Sequence, residues 1–122
     1  MPIDRFLLRL SKQADEVEFE ECITLISNCY DYLPMQFTNG DSKNTVTNKA
    51  GTNEGSCKIF AFAQLNELNK EETLACFGKF YRHEVLGNPA GTDHANIRQF
   101  MLTGPDGIHF EGPALILALV AR

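Results

Sequence analysis

The chain has 122 residues, 43% of them hydrophobic and 22% charged. That is room for one ordinary globular domain, large enough to fold without a disulfide or a metal staple. A net charge of -5 removes the phosphate-driven attraction that dominates nucleic-acid binding, and it disfavours anionic membrane surfaces. No nucleic-acid partner is therefore expected.

Ile3, Phe6, Leu7 and Leu10 follow the i, i+3, i+4, i+7 spacing of an amphipathic helix, with Asp4 near its start and Lys12 near its end. A second helix is predicted after Asp15, with Asp15 and Glu18 spaced as a capping box. Its apolar face runs through Phe19, Cys22, Ile23, Ile26, Cys29, Tyr30 and Leu33, and Pro34 stops it. Residues 34–56 read as a long polar loop or a short hairpin turning at Asn39-Gly40. A loop of that length inside a small domain is usually functional or disordered.

A third helix is expected from Cys57 to Leu68, capped by Ser56. It is apolar nearly all round, which places it at the centre of the domain. Asn69 and Glu72 form a second capping box. The helix they open carries Leu74, Phe77, Tyr81 and Val85 inward and ends at Gly87-Asn88-Pro89. Thr92 or Asp93 caps a fifth helix with Ile97, Phe100 and Met101 inward, closed by Gly104-Pro105. Pro105-Asp106-Gly107 is a turn, and Ile108-His109-Phe110 alternates as a short strand with His109 facing away. Ala114 to Ala121 reads as a fully buried helix or strand. The expected fold is mainly α: a compact single domain over 1–122, of about five to six helices around a buried central helix.

Cys22, Cys29, Cys57 and Cys76 contain no C-x-x-C pair, so neither a zinc knuckle nor a dithiol redox motif is present. The start lacks the basic and apolar regions of a signal peptide, and the apolar run at 114–121 is far shorter than the ~20 residues of a membrane span. A reduced, cytoplasmic protein with free thiols and no membrane insertion is expected.

The segments AGTNEGSCKIFAFAQLNEL, ETLACFGKFYR, VLGNPAGTDHANIRQFM and TGPDGIHFEG, in that order, resemble the HopJ type III effector family. The resemblance runs from the first helix to about Gly112. Family sequences often carry a Trp after the glycine matched by Gly104; this chain has Pro105 there and no Trp. The resemblance implies export through a type III secretion system and action on a host or bacterial protein partner. It implies no activity, cofactor or catalytic residue.

Three chemistries compete for the residues around Gly55-Ser56-Cys57-Lys58. If Ser56 caps the helix, Cys57 lies in its first turn, where free amides favour a thiolate. With His94 as base and Asn96 as its orienter, Cys57 would make a small thiol-dependent hydrolase or transferase. The string departs from the papain nucleophile motif, because Glu54 and Lys58 stand where a cysteine and an aromatic residue belong. The plainer reading makes Cys57 a small hydrophobe at a buried helix start. The second chemistry is a small-anion or nucleotide site built from Asn53, Gly55, Ser56, Lys58 and Arg98, although no Walker pattern is present. Its plain alternative is a loop whose asparagines bond their own backbone. The third is a metal: His83 and Glu84 precede Asp93 and His94, but no metal-ligand spacing is present and no metal or other cofactor is assigned. Lys79, Arg82 and His83 read as a solvated basic face.

Overall fold

The structure is a computed structural model that describes residues 2–119. Helix α1 spans Pro2–Lys12 and buries Phe6 and Leu10, as its apolar spacing requires. A 3-10 turn at Ala14–Glu16 leads to α2, Phe19–Cys29. The residue before α2 is Glu18, and Glu21 reaches back to accept from its N–H at 3.3 Å. The expected Asp15–Glu18 box is thus displaced by one turn, because residues 14–16 are taken up by the 3-10 turn.

Helix α2 is shorter than its apolar stripe suggests. Tyr30–Tyr32 leave helical geometry and form strand β1, paired antiparallel with β5, Leu115–Leu117. Two tyrosines suit an extended chain, and the partner that satisfies their backbone lies at the other end of the sequence. Residues 34–56 hold a hairpin of β2, Phe37–Gly40, and β3, Thr45–Asn48. Strand β4, Ile108–Phe110, adds to the other edge of β2, giving the antiparallel order β3-β2-β4.

The hairpin turns at residues 41–44 and not at Asn39-Gly40. Asn39 and Gly40 sit in β2, opposite Val46 and Thr45. The Asp41 carboxylate accepts from the Lys43 and Asn44 amides, each at 2.9 Å, and these bonds hold its pKa below the usual value. Gly40 is required where it stands. Its φ is +142°, and a Cβ there would lie 2.0 Å from the Asn44 carbonyl oxygen.

Helix α3, Glu54–Leu65, is the centre of the fold. Ile59, Phe60, Ala61, Phe62 and Ala63 are all buried. Phe60 packs against the rings of Phe37, Phe77 and Phe100, while Phe62 packs edge-on against Phe6 and Tyr30. The helix begins three residues earlier than expected: its cap is Asn53, in the left-handed region, and Ser56 lies inside the first turn. It also ends at Leu65.

Helix α4, Lys70–Ala75, opens with the expected box: Glu72 N–H donates to Asn69 Oδ1 at 2.8 Å, and Asn69 N–H to Glu72 Oε1 at 3.0 Å. The single long helix expected here is broken at Gly78. Its φ is +57°, and a Cβ would lie 2.6 Å from the Phe19 amide nitrogen, so α2 approaches there too closely for any side chain. The chain resumes as a π-helical turn, Phe80–Val85, in which Leu86 N–H bonds the Tyr81 carbonyl five residues back at 3.0 Å. Arg82 belongs to no free basic face: it donates to the Val17 carbonyl at 2.7 Å and to the Ala14 carbonyl at 3.3 Å.

Helix α5, Ala95–Thr103, is capped by His94, also left-handed, instead of by Thr92 or Asp93. Ile97 and Phe100 are buried, and Met101 is partly so. The helix packs on the hairpin and on α4. Pro105–Gly107 forms a 3-10 turn before β4, where His109 does face away from the buried Ile108. The C-terminal apolar run is not fully buried. Ala114 and Leu115 are, but Ile116 is 55% and Leu117 60% exposed, because among the described residues β5 pairs only with β1. The last residues of that run lie outside the described ones. The chain is mainly α, as expected, with two small antiparallel sheets among the described residues.

Candidate functional site

The starts of α3 and α5 open on one cleft of about 340 Å³. Asn53, Gly55 and Ser56 line it from α3, and His94, Ala95, Asn96 and Ile97 line it from α5. Phe19, Phe77, Phe80 and Val46 make the apolar part of its wall. The first backbone bonds of the two helices run from Cys57 N–H to the Asn53 carbonyl and from Arg98 N–H to the His94 carbonyl. The amides ahead of them belong to Glu54, Gly55 and Ser56 in α3, and to Ala95, Asn96 and Ile97 in α5. No cap side chain bonds them at either helix. Five of these six residues line the cleft. Two positive helix ends therefore face one concave space.

Four asparagines hold the two helix starts to the hairpin. Asn96 Nδ2 donates to Asn48 Oδ1 at 2.7 Å, and Asn48 Nδ2 returns a bond to Asn96 Oδ1 at 3.1 Å. Asn39 Nδ2 donates to the Asn96 carbonyl at 2.9 Å and to Asn96 Oδ1 at 3.1 Å. Asn53 Nδ2 completes the chain, donating to Asn48 Oδ1 at 2.7 Å. Asn39, Asn48 and Asn96 are buried, so their amides depend on one another in place of water. Because its side chain is held by Asn48, Asn53 does not cap α3. The network thereby leaves the helix start open.

The sequence-predicted residues divide into two groups. Asn53, Gly55, Ser56, His94 and Asn96 meet at the cleft. Cys57, Lys58 and Arg98 are not on its wall. Cys57 is buried, its thiol donates to the Met35 carbonyl at 3.7 Å, and burial pushes its pKa up, against the effect of the helix start. Lys58 Nζ lies 4.7 Å from the centre of the Tyr32 ring. Arg98 reaches back to the loop before α5, donating to Asp93 Oδ1 at 2.6 Å and to the Asn88 carbonyl at 3.0 Å. That bond holds the Asp93 carboxyl below its usual pKa.

His94 Nε2 lies 2.7 Å from Glu84 Oε1, and its ring sits 5.3 Å from that of Phe80. Phe80 and Glu84 share a face of the π-helical turn, so that turn places both against the imidazole. Among the cleft residues, Phe19 and Phe77 read in sequence as plain core positions, while Phe80 lies off the inward stripe of Leu74, Phe77, Tyr81 and Val85. Nothing in their spacing marks them as a wall.

The model of the HopJ type III effector protein family matches residues 3–115. The chain belongs to the HopJ family. A crystal structure of VPA0580, described as a protein of unknown function, is 49% identical to this HopJ chain with a TM-score of 0.91. The likeness covers 97% of this chain and 95% of that one. No curated protein matches. The family resemblance read from the four sequence segments is thus established, and the fold is shared with a solved relative. No biochemical activity comes with either. Among the described residues, no helix of this HopJ protein is long and apolar enough to cross a membrane.

Proposed function

We propose that this HopJ protein is an effector-type domain that holds a small anionic ligand in the cleft between the starts of α3 and α5. The observation that carries this reading is the pair of uncapped helix starts on one cleft. Backbone amides and helix dipoles there favour negative charge without a lysine or a nucleotide-binding motif. The aromatic wall of Phe19, Phe77 and Phe80 suits a ligand with an apolar or planar part beside its anionic group. Thermal unfolding of the purified chain tests it, with phosphate, pyrophosphate and a panel of nucleotides and sugar phosphates. A ligand at a hundred times its Kd stabilises by about 2.7 kcal/mol, which raises the Tm of a domain this size by several degrees. Ala95→Glu is expected to remove that shift while leaving the ligand-free Tm unchanged, since a carboxylate is welcome in a first helical turn. A flat response across the panel sinks the reading.

Family membership supports a second element: delivery through a type III secretion system, followed by contact with a protein partner. Leu33, Ile116 and Leu117, exposed about the β1–β5 sheet, offer an apolar surface for such contact. A translocation reporter fused to this chain is expected to enter host cells only when the secretion system is intact. Equal signal with the system disabled counts against delivery.

A further inference from the structure

We propose that Glu84, Asp93 and His94 form a binding site for a divalent transition-metal ion. The spacing of these residues along the chain does not point to one. The fold brings them together from two segments: Glu84 from the π-helical turn, and Asp93 and His94 from the loop that enters α5. One donor atom from each lies within 4.8 Å of the other two. His94 Nε2 is 2.7 Å from Glu84 Oε1 and 3.9 Å from Asp93 Oδ2. Ligands bonded at roughly 2.0–2.2 Å to one ion stand about 3–4 Å apart, so small side-chain adjustments suffice to seat it.

The surroundings suit such a site. Arg98 Nη2 holds Asp93 Oδ1 at 2.6 Å, which leaves Oδ2 turned toward the imidazole. An outer partner of this kind orients a metal-binding carboxylate. The ring of Phe80 backs the imidazole. One imidazole and two carboxylates form a donor set of intermediate hardness, matched to Mn²⁺, Fe²⁺ or Zn²⁺. Three protein ligands also leave coordination positions open, as in reactive rather than structural sites. The imidazole that would carry the ion is itself part of the cleft wall. A ligand in the cleft would therefore lie beside the metal.

This site does not rest on the anion reading of the cleft, and its test contains no phosphate. The purified full chain is stripped with chelator and titrated with Mn²⁺ alone, with bound ion counted by electron paramagnetic resonance. Mn²⁺ is chosen because the four free thiols compete poorly for it. Saturable binding of one ion per chain is expected, lost in His94→Ala and weakened at least about tenfold in Glu84→Gln and Asp93→Asn. Glu84 is exposed, so Glu84→Gln is expected to keep the parent Tm without metal, while Asp93→Asn, which weakens the pair with Arg98, lowers it slightly. The proposal is overturned if Mn²⁺ shows no saturable binding. It is equally overturned if His94→Ala and Glu84→Gln bind as the parent does, which would leave the cluster an ion pair and nothing more.

Discussion

Replacing Phe60 with alanine is expected to lower the unfolding free energy by about 3–5 kcal/mol. Phe60 is 1% exposed and its ring meets those of Phe37, Phe77 and Phe100. These three come from the hairpin, the turn after α4 and α5, so the cavity opens where three parts of the chain converge on α3. The surrounding rings are held by separate elements and collapse into the gap only in part. Total stabilities of such domains are about 5–15 kcal/mol, so this one change removes a large share. Urea unfolding should show a lower midpoint with an unchanged slope. Leu65→Ala, on the same helix but 56% exposed, is expected within about 0.5 kcal/mol of the parent. If both variants lose the same stability, α3 is not the centre of the core.

Asn48→Ala is expected to be the costliest truncation of a polar side chain. It removes the acceptor of Asn96 Nδ2 and of Asn53 Nδ2, together with a donor to Asn96 Oδ1. A buried amide left without a partner costs about 1–3 kcal/mol. Asn48→Asp keeps the shape but is expected to do worse. One carboxylate oxygen would face Asn96 Oδ1, and a charge would be buried without a cation. A double-mutant cycle between Asn48 and Asn96 should return a coupling of about 0.5–3 kcal/mol. Strict additivity of the two changes would mean that the paired amides do not act as a unit. Because Asn53 is released too, the α3 start loosens, and any ligand-induced rise in Tm at the cleft should shrink with it.

The parts legible in the sequence were those with a local cause. The stripe Phe6–Leu10, the Asn69–Glu72 box and the nearly all-apolar stretch from Ile59 to Ala63 each state their role within a few residues. The strands were harder. Tyr30–Tyr32 continues the period of α2, and what pulls it into a strand is Leu115–Leu117, which no local window contains. The break at Gly78 has the same origin: the glycine is legible, but the backbone of Phe19 pressed against it is not. The asparagines of residues 39–53 misled more deeply. Short polar side chains in a loop predict turns and bonds to nearby backbone. In the fold three of them, Asn39, Asn48 and Asn53, bond to each other or to Asn96 on α5, two of them in the interior.

The stretch from Asn53 to Lys58 therefore has a divided fate. By itself the sequence determined the HopJ family, the mainly helical class, the central place of α3, and that the chain approaching α3 differs from the rest in composition. It also picked out His94 and Asn96 as residues worth setting beside that approach. Only the tertiary structure decided which of these meet. It buried Cys57 under the Met35 carbonyl, turned Arg98 back onto Asp93, and opened the starts of α3 and α5 on one cleft. It also drew Glu84, Asp93 and His94 within reach of a single ion. Periodicity and capping act over a few residues, so a sequence states them directly. A site is a meeting of elements far apart in the chain, set by which faces the packed core leaves open.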